Sequence, residues 1–197
     1  MPKDGWLGGC DEAGRGPWAG PVVAAAVVLK PGTSIPGLND SKLIPEKMRD
    51  TVYGRVLTAA LAWGVGQAEV AEVDHWNIHR ATFLAMRRAV AEMLQRLRGA
   101  GLLLVDGRHT IPGVHLAQRA VIHGDRRSAC VAAASVIAKV TRDRVMRACA
   151  PDYPAYRFDR NKGYGSSAEH QEALRRLGPT PLHRRSFRPV RERLGLS

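Results

Sequence analysis

The sequence predicts an α/β fold around one hydrophobic core, and three observations carry that reading. Apolar runs of strand length alternate with longer segments whose apolar residues recur every three or four positions. The 197 residues, 45% hydrophobic and 24% charged, have the size and composition of one globular domain. No internal repeat, low-complexity tract or long Gly/Ser linker divides them, so residues 1–197 are expected to form one domain, with about 150–197 as a basic C-terminal extension.

The elements follow in order. "GGCDEAGRGPWAGPVVAAAVVL", Gly8 to Leu29, sets two adjacent acids and a Gly-Arg-Gly-Pro sequence at the mouth of a strand built on Val22, Val23, Val27 and Val28. Pro45 opens a helix at its first turn, with Met48, Val52, Val56 and Leu57 on one face. "LAWGVGQAEV" (Leu61 to Val70) and "LLLVDG" (Leu102 to Gly107) are further strands. Between these two, a longer helix carries Phe83, Met86, Val90, Met93 and Leu97, a stripe suited to covering a sheet. "SACVAAASVIAKVTRDRVM" (Ser128 to Met146) is apolar early and charged late, so its first half is expected to be buried and its second half exposed. After Cys149 the composition shifts to Pro, Tyr, Gly and Arg, and residues 173–197 hold seven arginines against one acid, Glu192.

Charge narrows the function. Thirty Lys and Arg against 18 Asp and Glu leave a formal charge of +12, which calls for a polyanionic partner, nucleic acid ahead of an anionic membrane. No apolar stretch reaches the ~18 residues that span a bilayer, and no secretion signal is visible, so a cytoplasmic monomer without membrane contact is expected. Cys10, Cys130 and Cys149 lack CxxC spacing and indicate neither a disulfide framework nor a zinc site. They are expected as small core residues.

Acids stand at the ends of several elements. Asp11 follows a short apolar and glycine stretch, Asp106 ends "LLLV", and Asp125 precedes the third helix in "HGDRRS". Singly, Asp106 before Gly107 suits a turn and Asp125 suits a helix N-terminus. Asp11 beside Glu12 is harder to explain structurally, because adjacent carboxylates repel and neither is an obvious cap. Strand ends in α/β proteins are where sites are built. Acids that converge there need a cation, and oxygen ligands without His or Cys favour Mg²⁺ or Mn²⁺. Two such ions ~3.5–4 Å apart suit in-line phosphodiester hydrolysis. Strand neighbours point to opposite faces, so Glu12 is expected to join Asp11 through a turn made possible by Gly14 and Gly16.

"DEAGRGPWAGPVVAAAVVL" resembles the N-terminal signature of bacterial ribonuclease HII. "NDSKLIP", "VDG", "GDRRSACVAAASVIAKVTRDR", "NKGYGSSAEH" and "PLHRRSF" resemble further family motifs in family order, so the resemblance covers nearly the whole chain. The sister family, ribonuclease HIII, carries an additional N-terminal domain and a valine after the acid pair. Here Ala13 follows the pair, and Asp11 lies too near the start for that domain. The resemblance implies a ribonuclease H-like fold, with a central mixed β-sheet flanked by helices and a C-terminal helical extension.

It also implies that Asp11, Glu12, Asp106 and Asp125 are the catalytic and metal-binding acids. The implied substrates are RNA/DNA hybrids and duplex DNA with an embedded ribonucleotide, cut on the 5′ side of the ribonucleotide to leave a 3′-hydroxyl and a 5′-phosphate. Gly14, Arg15, Gly16 and Tyr164 would read the ribonucleotide junction, and Lys42 would lie near a phosphate. Side-chain-free glycines suit close approach to a sugar, and the 2′-hydroxyl is what separates RNA from DNA. Arg15 can grip a phosphate through two donors, and Tyr164 can stack on a sugar or base. Trp18 and Gly165 to Ser167 occupy positions that vary in the family. His183 suits either packing or a phosphate contact, and the C-terminal arginines suit either a solvated tail or an ordered footprint. A non-catalytic hybrid-binding protein is the alternative, disfavoured because a pure binder has no need of clustered acids that repel phosphate.

Overall fold

The computed structural model describes residues 5–196. Strand β1 spans Trp6–Ala13, β2 Val22–Leu29, β3 Ala60–Ala68, β4 Gly101–Asp106 and β5 Ala117–Val121, in the spatial order β3-β2-β1-β4-β5. The pairs β1/β2 and β2/β3 are antiparallel, whereas β1/β4 and β4/β5 are parallel, so the sheet is mixed. Helix α1 is Glu46–Ala59, α2 Val70–Leu94 and α3 Ala129–Ala148; the C-terminal region adds α4 Phe158–Asn161, α5 Ala168–Leu177 and α6 Arg188–Arg193. Among the described residues no helix is long and apolar enough to cross a membrane.

Both faces of the sheet are covered, which is why every residue of β2 is buried and apolar instead of alternating. Val22, Ala24, Ala26 and Val28 join Ala85, Met86, Ala89, Val90 and Met93 of α2 in one core. Ala25, Val27 and Leu29 join Val52 and Val56 of α1 and Ala133, Ala134 and Ile137 of α3 in a second. Helix α3 crosses β1 so closely that a Cβ at Gly9 would collide with the backbone of Cys130 and Val131. That contact fixes the distance between α3 and the acid pair two residues further along β1. A third core, of Ala19, Met146, Ala150, Tyr156, Phe158 and Ala173, seats the C-terminal region on the end of α3.

Several boundaries differ from expectation for identifiable reasons. The third strand ends at Ala68, because Glu69 and Glu72 form a capping box that starts α2 at Val70. Asn77 (φ 65°, ψ 165°) breaks α2, and its Oδ1 accepts from the amides of His79 and Arg80 at 3.0 and 3.2 Å, recapping the helix. That break hides the first turns from a periodicity count, and Leu97 falls beyond the helix end. Met48 is exposed, so only Val52 and Val56 of α1 are fully inserted. The second half of α3 is not uniformly exposed: Val140 packs into the core with α1, Asp143 pairs with Arg49 and Lys139, and Arg142 and Met146 are covered by the C-terminal region. Cys10 and Cys130 are core residues, whereas Cys149 is only half-buried.

Candidate active site

The acid pair lies within a regular strand. Asp11 pairs with Ala25 and Glu12 with Ala24. Ala25 belongs to the core under α3 and Ala24 to the core under α2, so Asp11 and Glu12 take opposite faces of the sheet. The turn expected to bring them together is absent, since β1 runs on through Ala13. Asp106, at the end of the neighbouring parallel strand, supplies the common point. Its register follows the Cys10–Val105 pair, which sets it beside Asp11, and it lines a small cavity of about 60 Å³ together with Glu12, Arg15 and His79.

The electrostatics follow from burial. Desolvation pushes Asp11 well above the usual carboxylate range, and the charges of Glu12 and Asp106 push it further. Glu12 is raised by burial against the opposing charge of Arg15, whose Nη1 lies 3.2 Å from its Oε1; Asp106 raises it and Lys42 lowers it. Asp125 sits in a 3₁₀ turn (Gly124–Arg126) just before α3 and is raised by burial, then by Asp40 and Asp106, against Lys42 and Arg126. Lys42 therefore stands between Glu12 and Asp125 electrostatically. Its loop is anchored by its own amide on Asp40 Oδ1 at 2.9 Å and by Ser41 Oγ against Ser135 Oγ of α3 at 2.8 Å.

Asp11, Glu12 and Asp106 each have one carboxylate oxygen with a protein donor. The amide of Glu12 donates to Asp11 Oδ1 at 2.7 Å, and the amide of Gly124 to Asp106 Oδ1 at 2.7 Å. Asp125 Oδ1 is buried and accepts from nothing. An anionic oxygen without a donor is costly in the interior, and a hard divalent cation is the ligand such an oxygen suits. Among the described residues no three His, Cys, Asp or Glu side chains are gathered closely enough to hold one ion, so the acids approach one another without closing a cage.

The Gly-Arg-Gly loop is built by two buried arginines. Arg184 donates from Nη2 to the Gly14 carbonyl at 2.6 Å, from Nη1 to those of Arg15 and Pro17 at 3.1 and 2.8 Å, and from Nε to that of Gly20 at 2.9 Å. Arg142 donates to the carbonyls of Pro21, Ala19 and Lys162 at 3.0, 2.9 and 3.1 Å. Burial, then the Arg142 charge, pulls the Arg184 guanidinium down to about 9, so it remains a cation at neutral pH. In a trans peptide the N–H points opposite to the preceding C=O. Drawing the Gly14 and Arg15 carbonyls toward Arg184 therefore turns the amides of Arg15 and Gly16 the other way.

The two loop glycines differ in kind. Gly14 has φ +96°, and a Cβ there would overlap Arg142. Gly16 has no positive φ, and a Cβ there would meet nothing within 4 Å. Of the two glycines expected to permit a turn, only Gly14 takes a positive φ, where the chain leaves β1, and Gly16 faces open space.

Tyr164 is 36% exposed, with Lys139 Nζ 5.5 Å and Arg142 Cζ 5.7 Å from its ring centroid. Its neighbours are pinned by Trp18, whose amide donates to the Gly163 carbonyl at 2.9 Å and whose ring fills the space a Cβ at Gly165 would need. His183 is a packed histidine: it is fully buried against Tyr156 and Phe158. Arg184 leaves the set of solvated tail arginines, whereas Arg185, Arg188, Arg191 and Arg193 are exposed.

A ribonuclease HII family model matches residues 8–190. The chain belongs to the ribonuclease HII family. The ribonuclease HII of Syntrophotalea carbinolica is 52% identical over 95% of this chain and 88% of its own, and that of Halorhodospira halophila is 51% identical over 95% and 94%. The crystal structure of ribonuclease H2 from Pyrococcus horikoshii superposes with a TM-score of 0.77 at 24% identity, covering 95% of this chain and 96% of that one, so the fold is the ribonuclease H fold. Membership in ribonuclease HII carries the reaction class, metal-dependent endonucleolytic hydrolysis of an RNA-containing strand, and sets aside the non-catalytic binder.

Sequence reasoning missed Arg142, Arg184, Asp40 and His170. For Arg142 a signal existed. Ala138, Arg142 and Met146 recur at four-residue spacing on the buried face of α3, so the arginine continues an apolar stripe.

Proposed function

We propose that Asp11, Glu12, Asp106 and Asp125 hold two Mg²⁺ or Mn²⁺ ions in the active complex, and that the protein cuts RNA/DNA hybrids and nicks duplex DNA 5′ to an embedded ribonucleotide. The products are a 3′-hydroxyl and a 5′-phosphate. The observation that carries this reading is the donor-less, buried Asp125 Oδ1 among mutually repelling carboxylates, an arrangement that a hard cation neutralises. When bound, such ions supply Lewis acidity at the scissile phosphate and lower the pKa of attacking water.

The chain's own residues then have distinct tasks. Burial of Asp11 and Asp125, and the paired strands that carry Glu12 and Asp106, leave the four acids little freedom to reorganise. Lys42 offsets the charge of Glu12 and Asp125 and is suited to a backbone phosphate beside them. The amides of Arg15 and Gly16, turned away from Arg184, suit a 2′-hydroxyl, and the open space over Gly16 admits a sugar. Arg15 can exchange Glu12 for a phosphate, and the exposed face of Tyr164 suits stacking on a sugar or base. The formal charge of +12 favours nucleic acid, and action as a cytoplasmic monomer without membrane contact completes the reading.

The test is a nicking assay on a DNA duplex carrying one ribonucleotide. Purified protein should cut 5′ to the ribonucleotide with Mg²⁺ or Mn²⁺, leave the all-DNA duplex intact, and lose the activity in chelator. Asp11→Asn and Asp106→Asn should abolish cleavage while duplex binding persists. Near-normal turnover by either variant would sink the two-ion assignment.

A further inference from the structure

The buried pair His170 and His183 has no task in the chemistry above, yet its hydrogen bonds are fully ordered. His183 Nδ1 accepts from the Thr180 amide at 2.9 Å. A neutral imidazole has one donor and one acceptor, so Nε2 of His183 carries the proton. That Nε2 lies 3.0 Å from Nε2 of His170 and donates to it. His170 then carries its own proton on Nδ1, which lies 3.0 Å from the Tyr164 carbonyl oxygen and donates there. The ring protons are thereby assigned from the Thr180 amide, and the Thr180 hydroxyl, 2.9 Å from the same Nδ1, then faces it as a second donor. Burial lowers His170, and burial with the neighbouring His170 pushes His183 down to about 4, consistent with two neutral rings at neutral pH.

The ends of this chain are the two parts of the proposed junction reader. His183 is followed by Arg184, whose guanidinium holds the carbonyls of Gly14, Arg15 and Pro17. His170 holds the backbone of Tyr164. Around them Trp18, Tyr156 and Phe158 pack on the imidazoles, with ring centroids 5.2–6.3 Å apart, and exclude water that would compete for the bonds.

We propose that His170 and His183 are positioning residues: through a hydrogen-bond chain of fixed proton order they lock Tyr164 to the Gly14–Pro17 loop, so that both meet the same ribonucleotide. This rests on the reading that Tyr164 and the loop contact the junction. Neither histidine touches substrate. Each acts through Tyr164, so its contribution disappears when the Tyr164 ring is removed.

Two experiments test the proposal. Long-range ¹H–¹⁵N correlation spectra of the wild-type imidazoles at neutral pH should show His170 as the Nδ1–H tautomer and His183 as the Nε2–H tautomer. The reverse assignment, or a doubly protonated ring, would overturn the chain. In single-turnover nicking of the one-ribonucleotide duplex, His170→Phe and His183→Phe keep ring shape and should each slow cleavage about tenfold, the size of one buried hydrogen bond. In a Tyr164→Ala background the same changes should slow it less than about twofold, as expected of coupled residues. An equal loss in both backgrounds would mark a merely structural role and overturn the proposal, as would wild-type rates in both Phe variants beside an impaired Tyr164→Ala. Wild-type nicking by Tyr164→Ala alone would instead remove the junction reading and the positioning role with it, leaving the spectra to judge the chain itself.

Discussion

Arg184 Nη2 donates to the carbonyl oxygen of Gly14 at 2.6 Å across 170 residues of sequence, and the same guanidinium serves three further carbonyls of one loop. A planar fork with five donors can do this, whereas an ammonium cannot. The C-terminal region is thus part of the loop's construction, not an appendage to it.

Arg184→Met should therefore strand four carbonyls. The expected loss is about 3 kcal/mol in a denaturant titration, and Arg184→Lys should recover only part of it. Arg185→Ala is the control. Its side chain is exposed, and the contacts to Asp74 at 2.9 Å run from the backbone amides of Arg185 and Ser186, so stability should stay within about 0.5 kcal/mol. Equal losses in the two variants would mean that the fork does not shape the loop.

Gly14 and Gly16 should part company. Alanine at Gly14 meets both a positive φ and the Arg142 side chain, so Gly14→Ala should lower stability by about 2 kcal/mol or more, with activity falling alongside. Alanine at Gly16 meets neither. Gly16→Ala should melt as the wild type does yet lose nicking of the one-ribonucleotide duplex, because the methyl would occupy space reserved for the sugar. Calorimetry beside the nicking assay separates the cases, and an active Gly16→Ala protein would place the sugar elsewhere.

The acids make stability depend on pH with a definite sign. Asp11, Glu12 and Asp125 have folded pKa values raised above their ordinary 3.8, 4.5 and 3.8. A raised folded pKa means the native state binds more protons, so the stabilising contribution is full below the ordinary carboxylate pKa and is lost as pH rises through the raised one. Metal-free protein should thus grow less stable from about pH 4 toward neutrality through this site. Asp11→Asn should flatten that slope and raise the neutral-pH midpoint by roughly 3 °C, corresponding to about 1 kcal/mol. It should also reduce the stabilisation gained on adding Mn²⁺. A wild-type pH slope in Asp11→Asn would show that its charge is not repelled in the native state.

Much of this was legible because acids near element ends are visible in sequence: Asp106 ends β4, Asp11 lies two residues before the end of β1, and Asp125 sits in the short turn that leads into α3. What stayed hidden was hidden physically. Strand β5, "AQRAV", is a short edge strand with no fully buried residue, so it has no apolar signature. Arg184 lies in an arginine-rich stretch, where a buried guanidinium looks like its solvated neighbours. Trp18 and Gly165, both at positions that vary in the family, are one feature: the indole needs the missing Cβ. Pairings of that kind belong to tertiary contacts that no local pattern encodes.

The exposed arginines should act as a salt-sensitive footprint. Each phosphate neutralised adds about 0.9 to the slope of log affinity against log salt, so binding should fall tenfold or more from roughly 50 to 200 mM salt. Replacing Arg185, Arg188, Arg191 and Arg193 together, with Arg184 left in place, should lower that slope and weaken binding to all duplexes alike. Arg188 is the weakest member of the set, because its Nε lies 2.6 Å from Glu192 Oε1. A loss confined to ribonucleotide-containing duplexes would instead assign specificity to this region.

Tyr164 separates stacking from hydrogen bonding at the junction. Its ring is partly exposed beside the cations of Lys139 and Arg142, while its backbone is held by His170, so substitution changes the ring without releasing the loop. Tyr164→Ala should slow nicking of the one-ribonucleotide duplex by about tenfold or more, the size of one lost aromatic stack, while general duplex binding stays close to wild type. Tyr164→Phe keeps the face and removes the hydroxyl. Retention of most of the rate by Phe would identify the ring face as the contact, whereas a loss as deep as that of Ala would identify the hydroxyl as a donor or acceptor to the sugar. Wild-type rates in both variants would show that the ribonucleotide is sensed without Tyr164, leaving the amides of Arg15 and Gly16 as the remaining detectors.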